Sequence, residues 1–361
     1  MSDLSRLPIS DKSDFQSVDF EDRLNHAVTG GDASGLIIHE TSGSTGEVLR
    51  VARSTREETL YSGRRMRAYI LNGLRPWHRR THYSSGLRRL SAHKIGLFRV
   101  SPVSLDSSPD QAIATIERSR PDVLKGPPGA LELLASTHPE RLRALNLRLL
   151  FGGAEQVSAK GRSLIEEAAG RPLYDLYGAI ECNLIAWQCG RCGLYHTPDD
   201  SSLVEILRDG RPALPGETGD VVITALHSFH MPIIRYRVGD VARRAADTGC
   251  GISFSSIQNI EGRIVDYLRF LDHPAISPYM IMNELDEIEP IRRYQVVQTS
   301  TSSVEIRVEL AADAPRQSVL EEINRRSRLA IPPDVDIQTK PVERLVIAPA
   351  AKRRFVIALQ P

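Results

Sequence analysis

A hydroxyl- and glycine-rich run, Thr41, Ser42, Gly43, Ser44, Thr45 and Gly46, stands near the start of this 361-residue chain, and Lys352-Arg353-Arg354-Phe355 stands close to its end. Between them come Asp175-Leu176-Tyr177-Gly178-Ala179-Ile180-Glu181 and Arg235-Tyr236-Arg237-Val238-Gly239-Asp240. Glycine lets a backbone approach a ligand closely, and Ser/Thr hydroxyls donate hydrogen bonds, so the first run suits phosphate. It lacks the Gly-Lys-Ser/Thr ending that opens a helix in a Walker loop. A lysine on a distant, separately folded segment could supply positive charge to a leaving pyrophosphate. The chemistry this combination points to is activation of a carboxylate by ATP.

The cysteines form a second constellation. Cys189-Gly190-Arg191-Cys192 is a Cys-x-x-Cys knuckle with His196 shortly after it, and Cys250 lies between two glycines. Three thiolates and one imidazole make a tetrahedral Zn²⁺ set, and unligated reduced thiols are the alternative. Cys182, next to Glu181, is expected to pack rather than to bind metal. Neither a serine-hydrolase elbow nor a dinucleotide Gly-x-Gly-x-x-Gly occurs.

The elements that must carry these groups can be read from periodicity. Residues 36–38 and 49–51 read as strands flanking the 41–46 turn. Residues 110–118, 130–135 and 160–169 read as helices, alternating with strands at 123–124 and 147–151, which is the rhythm of a layered α/β core with largely parallel strands. Beyond Glu181, strands at 204–207, 221–224 and 233–236 are separated by Gly/Pro/Asp turns, so a mainly β subdomain is expected up to about residue 260. The remainder reads as strands at 294–298, 304–310 and 335–338 with a helix over 318–329, whose Ser318-Val319-Leu320-Glu321 start has a capping-box pattern. The expected architecture is therefore α/β. A large N-terminal domain, 1–262, combines layered α/β subdomains with a β-rich one, and 263–361 forms a small mobile α+β domain.

Composition narrows the partners. A formal net charge of +1, with 41% hydrophobic and 25% charged residues, provides no global field to recruit nucleic acid or a membrane surface. The clusters Arg64-Arg65-Met66-Arg67 and His78-Arg79-Arg80 read as solvated faces. The N-terminus lacks a secretory pattern, and no run approaches the roughly 18 apolar residues of a membrane span. A cytoplasmic protein with reduced cysteines is expected.

Taken in order along the chain, the strings Leu7-Pro8-Ile9-Ser10-Asp11-Lys12-Ser13-Asp14-Phe15, residues 41–46, Phe151-Gly152-Gly153-Ala154-Glu155, Tyr177 to Glu181, and Pro215-Gly216-Glu217-Thr218-Gly219-Asp220 resemble the adenylate-forming enzymes. Met231-Pro232-Ile233-Ile234 leading into Arg235 to Asp240, then Glu261-Gly262-Arg263 and finally Lys352 continue the match, specifically to the phenylacetate–coenzyme A ligase-like and capsule-biosynthesis-protein-like branch. The resemblance implies that residues 41–46 hold the β- and γ-phosphates of ATP. It places Ala154 and Glu155 on the adenine side, Tyr177 and Gly178 against the base, and Asp240 on the ribose hydroxyls. Arg263 would stand at the hinge near the ribose. Glu181 would bind Mg²⁺, a hard cation that prefers carboxylate oxygen. Lys352 would swing in with the C-terminal domain to stabilise charge as the acyl-adenylate forms.

The implied reaction activates a carboxylic acid, an aromatic one by resemblance, and passes the acyl group to coenzyme A. An amine, a hydroxyl or a carrier-protein thiol is the alternative acceptor, and a nucleotide-binding protein without turnover is the reading from another class. A homodimer is one candidate assembly. Several positions depart from the pattern. Ala351 replaces the usual glycine before the lysine, Glu47 puts a carboxylate beside the phosphate turn, and His273 falls where a glycine usually leaves room for pantetheine. The relatives' second zinc-binding segment is commonly Cys-x-Cys, so with Cys250 alone, Cys192 would supply the missing ligand.

Overall fold

The computed structural model describes residues 4–40, 49–84, 95–246, 249–263, 267–343, 345 and 355–359. The 41–46 turn, Glu47, Ala351 and Lys352 lie outside the described residues, and Arg263 is described in its backbone alone. Contacts divide the chain into two units, Met1–Arg75 with Tyr174–Ile260, and Pro76–Leu173 with Glu261–Pro361. No helix among the described residues is long and apolar enough to cross a membrane.

In the first unit, strands Ile37–Glu40 and Arg50–Arg53 pair antiparallel, from Ile37 opposite Arg53 to Glu40 opposite Arg50, and bracket residues 41–48. The helix Thr55–Leu71 follows, a segment the periodicity reading passes over. Its sequence signal is Ser54 with Glu57, which form a complete capping box. Glu57 also accepts the backbone N–H groups of Phe229 and His230, at 2.6 and 3.0 Å. Arg64, expected in solvent, is instead 4% exposed. Its guanidinium donates to the carbonyls of Cys182, Leu184 and Ser201 at 3.1 to 3.3 Å. A buried guanidinium needs acceptors, and the chain turns after residues 181 and 200 supply them.

Glu58 of the same helix ties both hairpin strands down. It lies 3.0 Å from His39 Nε2 and 3.5 Å from Arg53 Nη1. The His39 hydrogen bond, helped by the Arg53 charge and opposed by burial, holds its carboxyl at about 2 against an ordinary 4.5. A depressed carboxylate contributes stability above its unfolded pKa and loses it as pH falls through the folded one. Glu58→Gln is therefore expected to lower urea stability by about 1–2 kcal/mol at pH 7, allowing for solvent screening. The gap should shrink as pH drops from about 4.5 toward 2, as urea titrations at pH 7 and pH 3 would register. An unchanged gap at the lower pH would remove Glu58 from this role.

The rest of this unit is a mainly antiparallel sheet. Ser202–Arg208 pairs with Thr218–Ala225, which pairs with Tyr236–Arg244, while Asn183–Gln188 runs antiparallel to Leu173–Ala179. Two of the expected strands fall inside these elements. The third, expected at 233–236, begins only at Tyr236. Arg235 adopts φ 43°, a left-handed geometry that an extended strand cannot contain, so Ile233 and Ile234 precede the strand.

In the second unit, strands Val100–Val103, Arg80–Tyr83, Val123–Lys125 and Leu149–Gly153 lie side by side in that order, all parallel. Tyr83, Leu124 and Leu150 pack with Ile113, Leu131 and Ile165 from the helices Pro109–Ser119, Pro128–Thr137 and Ala159–Ala169. His78 and Arg80 are 7% and 4% exposed, not solvated, and Arg80 donates to the Phe98 carbonyl at 2.8 Å.

Residues 268–358 bring their own core. Strands Asp336–Pro341, Ser303–Leu310, Ile291–Ser300 and Val356–Ile357 form a four-stranded sheet, with helices Pro278–Asp286 and Arg316–Ser327. The expected capping box at 318–321 is absent, because the helix starts earlier from Pro315 and the Ser318 hydroxyl bonds back to the Pro315 carbonyl at 3.0 Å. Lys160 bridges the parallel layer to this part. Its ammonium donates to the carbonyls of Ile288, at 3.1 Å, Glu289, at 2.8 Å, and Ile291. Asp286 accepts Ala159 N–H and Tyr294 O–H at 2.9 and 2.8 Å. Burial raises the Asp286 carboxyl and lowers the Lys160 amine, so each depends on the hydrogen bonds that hold it.

Candidate functional site

Two strings in the first unit share a spacing. Tyr177 precedes Glu181 by four residues, and Tyr236 precedes Asp240 by four. The fold crosses them. Tyr177 Oη donates to Asp240 Oδ2 at 2.7 Å, and Tyr236 Oη donates to Glu181 Oε1 at 3.0 Å. Both carboxylates are 8% exposed. Each acid is thus held by the phenol of the other string, and a buried carboxylate must have such a donor. Burial pushes the Tyr236 phenol far above its ordinary range, with the Glu181 charge next in order, so it stays a donor at any physiological pH.

Local backbone explains why these positions carry the residues they do. A β-bulge separates Tyr177 from Gly178 in the pairing with Asn183–Gln188. A side chain at 178 would place its Cβ 2.1 Å from the Asn183 carbonyl oxygen, so only glycine fits. Asn183 itself turns the chain with φ 64°. Cys182 is fully buried and burial drives its thiol well above the ordinary range, which suits packing and not reactivity.

The cysteine cluster also assembles. The donor atoms of Cys189, Cys192, His196 and Cys250 all lie within 4.8 Å of one another. Tetrahedral Zn–S bonds of about 2.3 Å place ligand atoms roughly 3.7 Å apart, so the set is close to that size. His196 Nε2 is 3.2 Å from Cys250 Sγ and 3.7 Å from Cys192 Sγ. Its Nδ1 is 3.1 Å from the Phe254 carbonyl, which fixes a proton there and leaves the Nε2 lone pair facing the sulfurs. Burial and the neighbouring Cys189 and Cys250 push the Cys192 thiol up, since clustered thiols resist ionising together without a cation. Gly249 and Gly251, with φ 60° and 83°, make the tight turn that presents Cys250.

In the second unit, Ala154 adopts φ 72° directly after the strand Leu149–Gly153. Glu155 Oε2 accepts the Gly129 N–H at 3.1 Å, at the start of the helix Pro128–Thr137, where helix N–H groups favour negative charge. Gly262 has φ 95°, and a Cβ there would lie 3.0 Å from Pro278 Cγ. His273 is engaged by Asp334, with Nε2 2.9 Å from Oδ1.

The fold therefore brings Tyr177, Gly178, Glu181 and Asp240 together in one unit and the four thiol and imidazole ligands in the same unit. Ala154, Glu155 and the backbone of Arg263 belong to the other. Tyr236 is the residue that motif reading omitted, although its matched four-residue spacing to an acid was available in the sequence.

No protein-family model matches the chain. It is 25% identical over 341 residues to the phenylacetate–coenzyme A ligase of Thermus thermophilus, covering 86% of this chain and 73% of that protein. Its fold is similar to that of 2-hydroxyisobutyryl-CoA ligase in complex with 2-HIB-AMP, with a TM-score of 0.78, 18% identity and coverage of 100% of this chain and 81% of that one. It is also similar to an amide bond synthetase from Marinactinospora thermotolerans, with a TM-score of 0.64, 19% identity and coverage of 88% and 68%.

Proposed function

We infer that this chain, a member of the adenylate-forming superfamily, uses ATP to activate a carboxylic acid and then transfers the acyl group to coenzyme A. The observation that carries the reading is the crossed pair of tyrosine–carboxylate hydrogen bonds, which fixes two acids in one unit. Sequence likeness to a phenylacetate–coenzyme A ligase over most of the chain supports the same reaction class.

In the first step an oxygen of the acid attacks the α-phosphorus of ATP, and the bond to pyrophosphate breaks. In the second, a thiolate sulfur attacks the acyl carbon and AMP leaves. Asp240, with one oxygen committed to Tyr177, holds the ribose hydroxyls. Thr41, Ser42, Gly43, Ser44, Thr45 and Gly46 cradle the β- and γ-phosphates, Ala154 and Glu155 line the adenine, and Arg263 stands near the ribose. Lys352 stabilises the charge that grows on carboxylate and phosphate oxygens, the main source of catalysis expected for this chemistry. Mg²⁺ suits Glu181, whose carboxyl group is aimed by Tyr236, and would neutralise phosphate charge when bound. An aromatic acid is the proposed substrate. Zn²⁺ is the proposed occupant of the Cys189, Cys192, His196 and Cys250 cluster, with a structural role.

Transfer to an amine is the second reading, supported by the fold likeness to an amide bond synthetase. The experiment for both is acid-dependent exchange of labelled pyrophosphate into ATP across a panel of acids, followed by product mass after adding coenzyme A or amines. No exchange with any acid would leave a nucleotide-binding protein without turnover. Asp240→Asn is expected to raise KM for ATP about tenfold or more, because it weakens a charge-assisted hydrogen bond made equally in ground and transition states. Steady-state kinetics at saturating acid would show it, and an unchanged KM would remove Asp240 from the ribose.

A further inference from the structure

Glu181 sits in a tight connection within the first unit. The strand Leu173–Ala179 ends two residues before it, and Asn183–Gln188 begins two residues after it. The carbonyls of Ile180 and Cys182 therefore fall outside the ladder, where a peptide group withdrawn from water needs another donor. Guanidinium groups of the same unit supply both. Arg53, the last residue of the strand Arg50–Arg53, donates to the Ile180 carbonyl, and Arg64 donates to the Cys182 carbonyl at 3.2 Å. Both guanidinium carbons lie over the ring of Tyr61, 4.5 and 4.7 Å from its centroid. Arg53, Tyr61 and Arg64 are 3%, 0% and 4% exposed. Burying two cations beside one ring is costly, and apolar side chains of similar volume would fill the space at less cost. Apolar side chains could not hold the peptide groups on either side of Glu181.

We propose that Arg53 and Arg64 are positioning residues that clamp the Glu181 turn through its main chain, with Tyr61 setting the place of both guanidiniums. This rests on the reading of Glu181 as the Mg²⁺ carboxylate. Tyr236 fixes one carboxylate oxygen, at 3.0 Å, and the clamp fixes the backbone from which the side chain extends. The arginines act through that backbone and take no part in the reaction itself. Misplacing a reacting group by about 1 Å can cost on the order of 100-fold in rate, so holding both ends of Glu181 matters.

The test compares wild type with Arg53→Met, Arg53→Lys and Arg67→Ala. Arg67 lies on the same helix but pairs with Asp200, at 2.8 Å, so its loss serves as a structural control. Arg53→Met is expected to raise the Mg²⁺ concentration for half-maximal pyrophosphate exchange by about five- to tenfold, with KM for the acid unchanged. Mn²⁺ binding with a non-hydrolysable ATP analogue, read by electron paramagnetic resonance, should weaken by about the same factor. Amide hydrogen exchange over residues 180–184, without metal or nucleotide, should quicken about tenfold or more. Arg53→Lys, whose ammonium can still donate to the carbonyl, should fall between, and it carries the comparison if Arg53→Met does not fold. Arg67→Ala should match wild type in all three. Unchanged Mn²⁺ binding or unchanged amide exchange in the Arg53 variants, or an equal effect in Arg67→Ala, would each overturn the proposal. Absence of Mn²⁺ binding in wild type would instead overturn the acid-activating reading, with amide exchange still deciding whether the arginine fixes the turn.

Discussion

Glu181→Gln is expected to reduce acid-dependent pyrophosphate exchange by about a thousandfold or more, with the fold intact. Glutamine keeps the shape of the side chain and can still accept the Tyr236 hydroxyl, whose present distance to the carboxylate is 3.0 Å. Only the negative charge is lost, and with it the hard oxygen that a divalent cation prefers. Lys352→Ala should give a loss of the same order, because it removes the cation proposed to stabilise the developing charge. Tyr236→Phe separates charge from position. It leaves the carboxyl group without its hydrogen-bond donor, so a smaller loss of about tenfold is expected, carried in kcat more than in KM for the acid. Circular dichroism would verify folding of each variant. Full exchange by Glu181→Gln would remove Glu181 from the reaction.

Cys250→Ser, or prolonged treatment with a zinc chelator, is expected to lower the melting temperature by about 5 °C. Structural zinc in small domains contributes on the order of 10 kcal/mol of folding free energy, and here a preformed sheet retains much of the local structure without it. A residual loss of about 3–5 kcal/mol shifts the melting point by roughly this amount in a chain of this size. The four donors lie within 4.8 Å of one another, and His196 is fully buried, so removing one ligand leaves the others crowded and unpaired. Metal analysis of protein purified without chelator should return one zinc per chain. Acid should release it, since thiolates and imidazole must lose protons to bind. Absence of zinc together with an unchanged melting curve would end the assignment.

The two predictions differ in how much of them the sequence carried. Glu181 and the thiols were legible because their residue types and short spacings are local properties. The partner of Glu181 was not, because Tyr236 is 55 positions away and meets it only through the sheet. Arg64 was misread for the same reason. Its neighbours in sequence are charged, which suggests solvent, yet the carbonyls that accept it belong to residues 118 to 137 positions away.

By itself the sequence determined the alternation of strands and helices from 109 to 169, the β-rich texture after 181, and the inventory of phosphate, carboxylate and thiol chemistry. These follow from side-chain periodicity and from the backbone freedom of glycine, which act over a few residues. The tertiary structure alone decided which hydroxyl holds which acid and which carbonyls take up the buried Arg64. Such pairings depend on where distant strands come to lie, and a buried polar group takes whatever partner the chain path brings within hydrogen-bonding reach.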